Sequence, residues 1–154
     1  MNVKTILAAK GGDVVTIEPI ADLTAAVQLL AVRRIGAIVI RGAEGLLAGI
    51  LSERDIVRTV AQHGIAALSM SVAQVMTRNV ATCGEEDTID SLMERMTAGK
   101  FRHLPVVVEG ELKGIVSIGD VVKQRVGEIE SEPRRCVGLI TSRSHCRRKA
   151  PTAR

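Results

Sequence analysis

The chain has 154 residues, 46% of them hydrophobic, with one Phe and neither Trp nor Tyr. That is enough for one aliphatic core or two packed halves, and it excludes a nucleic-acid platform that stacks bases on aromatic rings. The net charge of +4 is concentrated in residues 131–154, which hold seven basic residues and one acid and leave the first 130 residues at −2.

In chain order, Val3–Ala9 predicts a short helix and Asp13–Ile17 a strand. Asp22 stands at a helix N-cap, followed by Leu23, Ala26, Val27 and Leu30 at the i, i+3, i+4, i+7 spacing of a buried stripe. A β-rich run, Gly36–Ile40, leads through the turn "RGAEG" into the return strand "LLAGILS" and the helix "ERDIVRTVAQHG". The connecting stretch "IAALSMSVAQVMTR" contains a short helix expected over Val72–Met76.

The same order then recurs. Asn79–Cys83 predicts a strand, and Thr88 caps a helix whose apolar positions are Ile89, Leu92, Met93 and Met96. His103–Val108, the turn "EGE", "LKGIVS" and the helix "IGDVVKQRVGE" complete the copy. The offset is 66 residues before the second turn and 65 after it, so one residue is lost in that hairpin. Each unit reads strand, helix, strand, strand, helix. A sheet of three strands is marginal alone, so two such units are expected to pack about a pseudo-twofold axis. The expected fold is α+β, with βαββα repeats at 3–66 and 67–129 and a basic, disordered tail at 130–154.

"GILSERD" (Gly49–Asp55) and "GIVSIGD" (Gly114–Asp120) both spell Gly-Ile-aliphatic-Ser-x-x-Asp. One reading is a capping box, in which Ser and Asp satisfy the first N–H groups of the helix. The other is a ligand site: a helix start attracts phosphate, and the two oxygens of a carboxylate can accept from both hydroxyls of a ribose. Lys100, Arg102 and His103 in "KFRH", with Arg54 beside Asp55, would supply cations for an anion. Taken singly, the two cations also fit solvated surface and the histidine a hydrogen-bonded strand residue.

These tandem units, with "FRHLPVV" in the second and "VMTRNVATC" and "LAAKGGDVVTI" opening the two copies, resemble the cystathionine-beta-synthase (CBS) domain pair, or Bateman module. The resemblance covers about residues 3–128. It implies a regulatory or signal-transduction module, often a disk-shaped homodimer, that binds AMP, ADP, ATP, NAD(H) or S-adenosylmethionine between the sheets. By match of motif, Asp55 and Asp120 would hold ribose hydroxyls, and Ser52 and Ser117 would contact ribose or phosphate. Lys100, Arg102, His103 and Arg54 would meet phosphates, and the backbone at Val15, Thr16 and Val80 would line adenine. The first unit has Gly36, Ala37 and Val39 where the second has Arg102, His103 and Pro105, with Arg33 and Arg34 displaced. Unequal clefts are therefore expected, with phosphate read best at Lys100, Arg102 and His103.

No base–nucleophile constellation stands out, so no enzyme is expected, although nucleotide hydrolysis or transfer is a rival. His63 beside Gly64 reads as a partner of a helix C-terminus, and Cys83 in a strand as packing. Cys136, His145 and Cys146 match no standard zinc spacing, so no metal is expected. Three cysteines make no disulfide framework. With no apolar run of membrane-spanning length and no signal peptide, the expected location is cytoplasmic, with no membrane partner. The output would pass through a separate, unidentified protein. The alternative is a nucleic-acid-associated protein whose tail holds phosphate backbone.

Overall fold

The computed structural model describes residues 1–131. The elements are α1 (Val3–Lys10), β1 (Thr16–Ile17), α2 (Leu23–Arg33), β2 (Ala37–Arg41), β3 (Leu47–Ser52), α3 (Glu53–His63), α4 (Val72–Val75), α5 (Ile89–Gly99), β4 (His103–Val108), β5 (Glu111–Ser117) and α6 (Ile118–Ser131). Single-turn-type 3-10 segments at Ala43–Gly45 and Gly64–Ser69 fill the first hairpin and the link after α3. The expected tail, with its cysteines and basic cluster, lies outside the described residues from 132 onward; α6 itself runs through Ser131.

The helical stripes are as the spacing dictates. Leu23, Ala26 and Leu30 of α2 are buried, as are Ile89, Leu92 and Met96 of α5, while Val27 and Met93, the i+4 members of the stripes, are half-buried. Asp22 and Thr88 cap these helices, each side chain accepting from the backbone N–H three residues on. Both helices end on a cationic residue in the left-handed conformation, Arg34 (φ 53°) and Lys100 (φ 55°). These two residues are 66 apart, so Arg34 is the counterpart of Lys100.

The sheets depart from expectation. The first is three-stranded in the order β1–β2–β3, but β1 is only Thr16–Ile17, parallel to Val39–Ile40. The second has two named strands, β4 and β5, and the strand expected over Asn79–Cys83 is reduced to one parallel bridge from Cys83 to Val106. The cause is local: Asn79–Ala81 border a cavity instead of a neighbouring strand. The hairpin pairs confirm the lost residue, since Ile40 faces Gly49 while Val106 faces Gly114. The second turn closes on Glu109 (φ 51°) and Gly110 (φ 80°), the backbone of a tight two-residue hairpin.

Two aliphatic cores result, and the opening helix of each repeat sits in the core of the other. Val3 and Ile6 of α1 pack with Leu92, Leu104, Val106, Val116 and Val121. Val72 of α4, with Met76 just after it, packs with Leu23, Ile38, Ile40 and Leu51. Matching backbone bridges hold the exchanged helices, Asp22 to Ser71 and Thr88 to Asn2. Neither half has a complete core without a helix from the other, which makes the pair one folding unit.

Candidate functional site

Both Ser-x-x-Asp phrases form the capping box. The Asp55 Oδ2 accepts from the Ser52 backbone N–H at 2.9 Å and from its hydroxyl at 3.0 Å. The Asp120 Oδ2 accepts from Ser117 in the same two ways, at 2.9 Å each. In both repeats the Ser hydroxyl oxygen in turn accepts from the Asp N–H. The capping reading is therefore correct for the structure as it stands. It leaves one oxygen of each aspartate unused, since neither Asp55 Oδ1 nor Asp120 Oδ1 has a protein donor among the described residues.

A cavity of about 850 Å³ opens beside Asp55. From the first repeat, Gly36, Ile50, Ser52, Glu53, Arg54, Asp55, Val57 and Arg58 line it. Thr77, Asn79, Val80, Ala81, Gly99, Lys100, Phe101, Arg102 and His103 line it from the second. Seven residues singled out in the sequence thus converge: Ser52, Arg54, Asp55, Val80, Lys100, Arg102 and His103. The other four, Val15, Thr16, Ser117 and Asp120, are not part of this lining. Thr16 is spent on the β1–β2 pairing and Val15 accepts from the Val39 N–H.

The walls explain the chemistry. Arg54 donates to the Lys100 carbonyl at 2.7 Å, so it ties α3 to the end of α5 across the seam. Among the described residues, Arg54, Arg58, Lys100 and Arg102 have no carboxylate within ion-pair distance; the only acids on the lining are Glu53 and Asp55. The backbone seam is the reciprocal bridge of Ile50 and Thr77, with N···O distances of 3.1 and 2.9 Å. His103 packs over Gly36, where an added Cβ would sit 3.2 Å from Cε1. Its pKa is lowered from 6.5 by burial, then by the Lys10 ammonium, partly opposed by Glu53 and Asp120.

Sequence reasoning missed Arg58, Phe101, Thr77, Asn79 and Lys10. Arg58 follows Arg54 by four residues, so helical spacing places both on one face. Phe101 is the chain's one aromatic residue, and its ring lies where a Cβ at Gly99 would go. Lys10 closes α1 and reaches the Asp120 cap in the other repeat, donating to the carboxylate at 2.6 Å and to the Ile115 carbonyl at 2.9 Å. Burial alone would raise the pKa of Asp120; the Lys10 ammonium and the Ser117 donors outweigh it and lower the net value. Cys83 is buried and reduced, its thiol pushed up to about 11 by burial and then by Asp87, which suits packing and not a nucleophile. Among the described residues no group of three His, Cys, Asp or Glu side chains could hold a metal ion, and no helix is long and apolar enough to cross a membrane.

Two repeats, exchanged helices and paired Ser-x-x-Asp caps around a seam are the architecture of a CBS domain pair. The CBS domain family matches the chain twice, at residues 4–62 and 72–127, and the chain belongs to that family. A CBS-domain-containing protein of Agrobacterium tumefaciens has a solved structure that is similar at a TM-score of 0.79 with 49% identity, covering 80% of this chain and 92% of its own. The CBS domain protein of Pyrobaculum aerophilum, solved in complex with AMP, is similar at a TM-score of 0.73 and 26% identity, over 84% of this chain and 97% of its own. Among curated relatives, the mitochondrial CBS domain-containing protein CBSX3 of Arabidopsis thaliana is 35% identical over 119 residues, covering 75% of this chain. The match spans 58% of that relative's length, and only 21% of another Arabidopsis protein of the family, CBSCBSPB2.

Proposed function

We propose that the chain is a regulatory module that binds an adenine nucleotide or dinucleotide in the cleft beside Asp55. The observation that carries this reading is the composition of one cavity: a carboxylate with a free oxygen on one repeat, and Lys100 and Arg102 without acidic partners on the other. Asp55 would accept from ribose hydroxyls, Ser52 would contact ribose or phosphate, Lys100, Arg102 and Arg58 would neutralise phosphate, and the neutral His103 ring would donate a hydrogen bond to it. Val80, Ala81 and Phe101 offer apolar surface for a base. The cavity volume falls within the ~300–1,000 Å³ usual for small-molecule sites. The AMP bound by the Pyrobaculum relative, and the 5'-methylthioadenosine and S-adenosylmethionine bound by the CBS pair of protein MJ0100, support an adenosine-based ligand.

The ligand acts by its differential affinity for two arrangements of the halves. Bridging α3 and α5 across the seam would favour the closed arrangement already held by Arg54 on the Lys100 carbonyl. The role proposed is binding without turnover, with the Ser52 hydroxyl and the Asp55 carboxylate engaged in the helix cap. The apolar groove of about 550 Å³ between α2 and α3, lined by Val27, Leu30, Ala31, Ile35, Ile56 and Val57 among others, would seat a second copy of the chain. The test is calorimetric titration with AMP, ADP, ATP, NAD, NADH and S-adenosylmethionine, together with Asp55→Ala. Heat from at least one of them, lost in the variant, is the expected result; heat from none, or binding that ignores Asp55, defeats the reading.

A further inference from the structure

The two Ser-x-x-Asp sites occupy equivalent positions but not equivalent states, and the difference lies in one side chain. In the first repeat, the carbonyl of Ile50 accepts from the backbone N–H of Thr77, just after α4. Its counterpart is Ile115, 65 residues on, and there the donor is not a backbone amide but the Lys10 ammonium. The same ammonium also lies on Asp120 Oδ2, an oxygen already accepting from the Ser117 N–H and hydroxyl. Three donors thus converge on one carboxylate oxygen, against two at Asp55. The residue at the Lys10 position in the first repeat, 66 residues on, is Met76, which is buried and has no charge to offer.

The surroundings hold Lys10 in place. α1 is anchored in the core of the second repeat through Val3 and Ile6. Leu7 packs against Gly114, where a Cβ would come 2.6 Å from its Cδ2. Past the helix end, the backbone runs close to β5, and a Cβ at Gly12 would sit 2.9 Å from the Lys113 carbonyl oxygen. The lysine and aspartate side chains are 33% and 25% exposed, so the pair is shielded from water but not sealed.

From this geometry we infer that Lys10 is an internal competitor at the Asp120 site: its ammonium adds a third donor to Oδ2 and takes the Ile115 carbonyl, leaving only Oδ1 of the carboxylate open to a polyhydroxyl ligand such as a ribose. A ligand that needs both carboxylate oxygens, or the Ile115 carbonyl, must first displace the ammonium. The Asp55 cleft has no equivalent plug and fills first. One side chain, grown on the helix that the repeats exchange, thereby sets the order in which two related sites are used.

This inference rests on the nucleotide reading of the Asp55 cleft for its probe, and the experiment separates the two. AMP is titrated into the full chain, into Lys10→Met, which installs the residue of the first repeat, into Lys10→Arg, which keeps the cation, and into Lys10→Met/Asp120→Ala. In the wild type the second AMP should bind at least tenfold more weakly than the first, or not at all. Lys10→Met should gain a second site within about tenfold of the first, Lys10→Arg should not, and the double variant should lose the gain. Two equal sites in the wild type would overturn the inference, as would weaker second-site binding in Lys10→Met, which would make the lysine a ligand contact. So would a Lys10→Met chain that still binds one AMP. Binding that appears only on removal of Lys10 would uphold the plug and reject the Asp55 cleft as the nucleotide site. AMP binding by no variant would reject both.

Discussion

The Lys10 ammonium lies 2.6 Å from the Asp120 Oδ2, while Asp55, at the same position of the first repeat, meets no ion-pair partner among the described residues. The pair crosses from α1 to α6, so it ties the ends of the described fold together. Because the pKa of Asp120 is lowered below 3.8 in the folded state, its contribution is present above that value and is lost as pH falls through the folded pKa. Lys10→Met should therefore melt lower at pH 7 but converge on the wild type in strong acid. For a partly exposed pair the expected loss is at most ~1 kcal/mol, a few degrees in Tm. A difference that stays constant from pH 7 to pH 2 would locate the effect in packing instead.

His103 sets a second pH dependence with its own window. Its folded pKa is lowered below 6.5, chiefly by burial and then by Lys10. Above 6.5 the ring is neutral in both folded and unfolded chains and contributes no slope. As pH drops below 6.5 the unfolded chain takes up the proton first, and stability falls until the folded pKa is passed. His103→Gln should flatten the pH dependence of Tm below pH 6.5, over the interval in which the unfolded chain is protonated and the folded one is not. Thermal melts across that range decide the matter, and an unchanged slope in the variant would remove His103 as its source.

Asp55 has two tasks, one structural and one proposed, and two substitutions separate them. Asp55→Ala removes the capping box as well as any ribose contact, and loss of a helix cap typically costs ~1 kcal/mol. Asp55→Asn keeps an acceptor for the Ser52 donors but has only one oxygen to offer. Losing a hydrogen bond to a charged group is worth ~1.5–3 kcal/mol, so AMP affinity should fall at least tenfold in Asp55→Asn, with little change in Tm. Arg102→Ala should weaken AMP binding while adenosine binding changes little, because the arginine would meet only phosphate. Equal losses for AMP and adenosine would move Arg102 away from the phosphate.

Periodicity made the helices legible, because the stripes in α2 and α5 report burial against a sheet and that burial is what the structure shows. The repeat offset likewise located the hairpins to within a residue. The strands at Asp13–Ile17 and Asn79–Cys83 were over-read for a physical reason: a short β-rich run looks the same whether or not its backbone pairs with a neighbour, and Asn79–Ala81 border a cavity instead. Lys10 was invisible for a different reason. Its importance comes from the exchange of α1 into the other core, and no local pattern states which core an amphipathic turn will join. Arg58 was visible in principle, four residues beyond Arg54, but a cation on a solvated helix face carries no mark of the cleft beneath it.

The seam between repeats rests on a close approach that only glycine allows. A Cβ on Gly49 would lie 2.7 Å from the Met76 Sδ and 2.8 Å from the Thr77 carbonyl oxygen. The second contact is backbone, and Thr77 is held to Ile50 by two hydrogen bonds, so it cannot yield without opening the bridge. At Gly114, the counterpart, the nearest atom is the end of the Leu7 side chain, which can rotate. Gly49→Ala should cost ~1–3 kcal/mol, the range for overpacking, and Gly114→Ala less. Gly49→Ala should also weaken AMP binding, since Ile50 and Thr77 both line the cavity. Equal penalties at the two glycines would mean that the backbone contact yields as easily as a side chain.

The exposed apolar side chains follow the helices, not the sheets. Val57 and Val60 of α3 are 67% and 40% exposed, and Val32 of α2 is 78% exposed. Val57 also borders the groove between those helices. A second copy seated there would cover this surface, and a carboxylate placed at Val57 would have to be desolvated among its aliphatic neighbours, which is unfavourable at an interface even with Arg34 on the same lining. Val57→Glu should shift the chain toward monomer in sedimentation velocity, with little change in Tm at low concentration, because the side chain is exposed in the single chain. Val122→Glu on α6, 47% exposed in the other repeat, tests the corresponding face. A wild-type chain that sediments as a monomer at high micromolar concentration would dispose of the dimer, and a dimer indifferent to both substitutions would place its interface elsewhere.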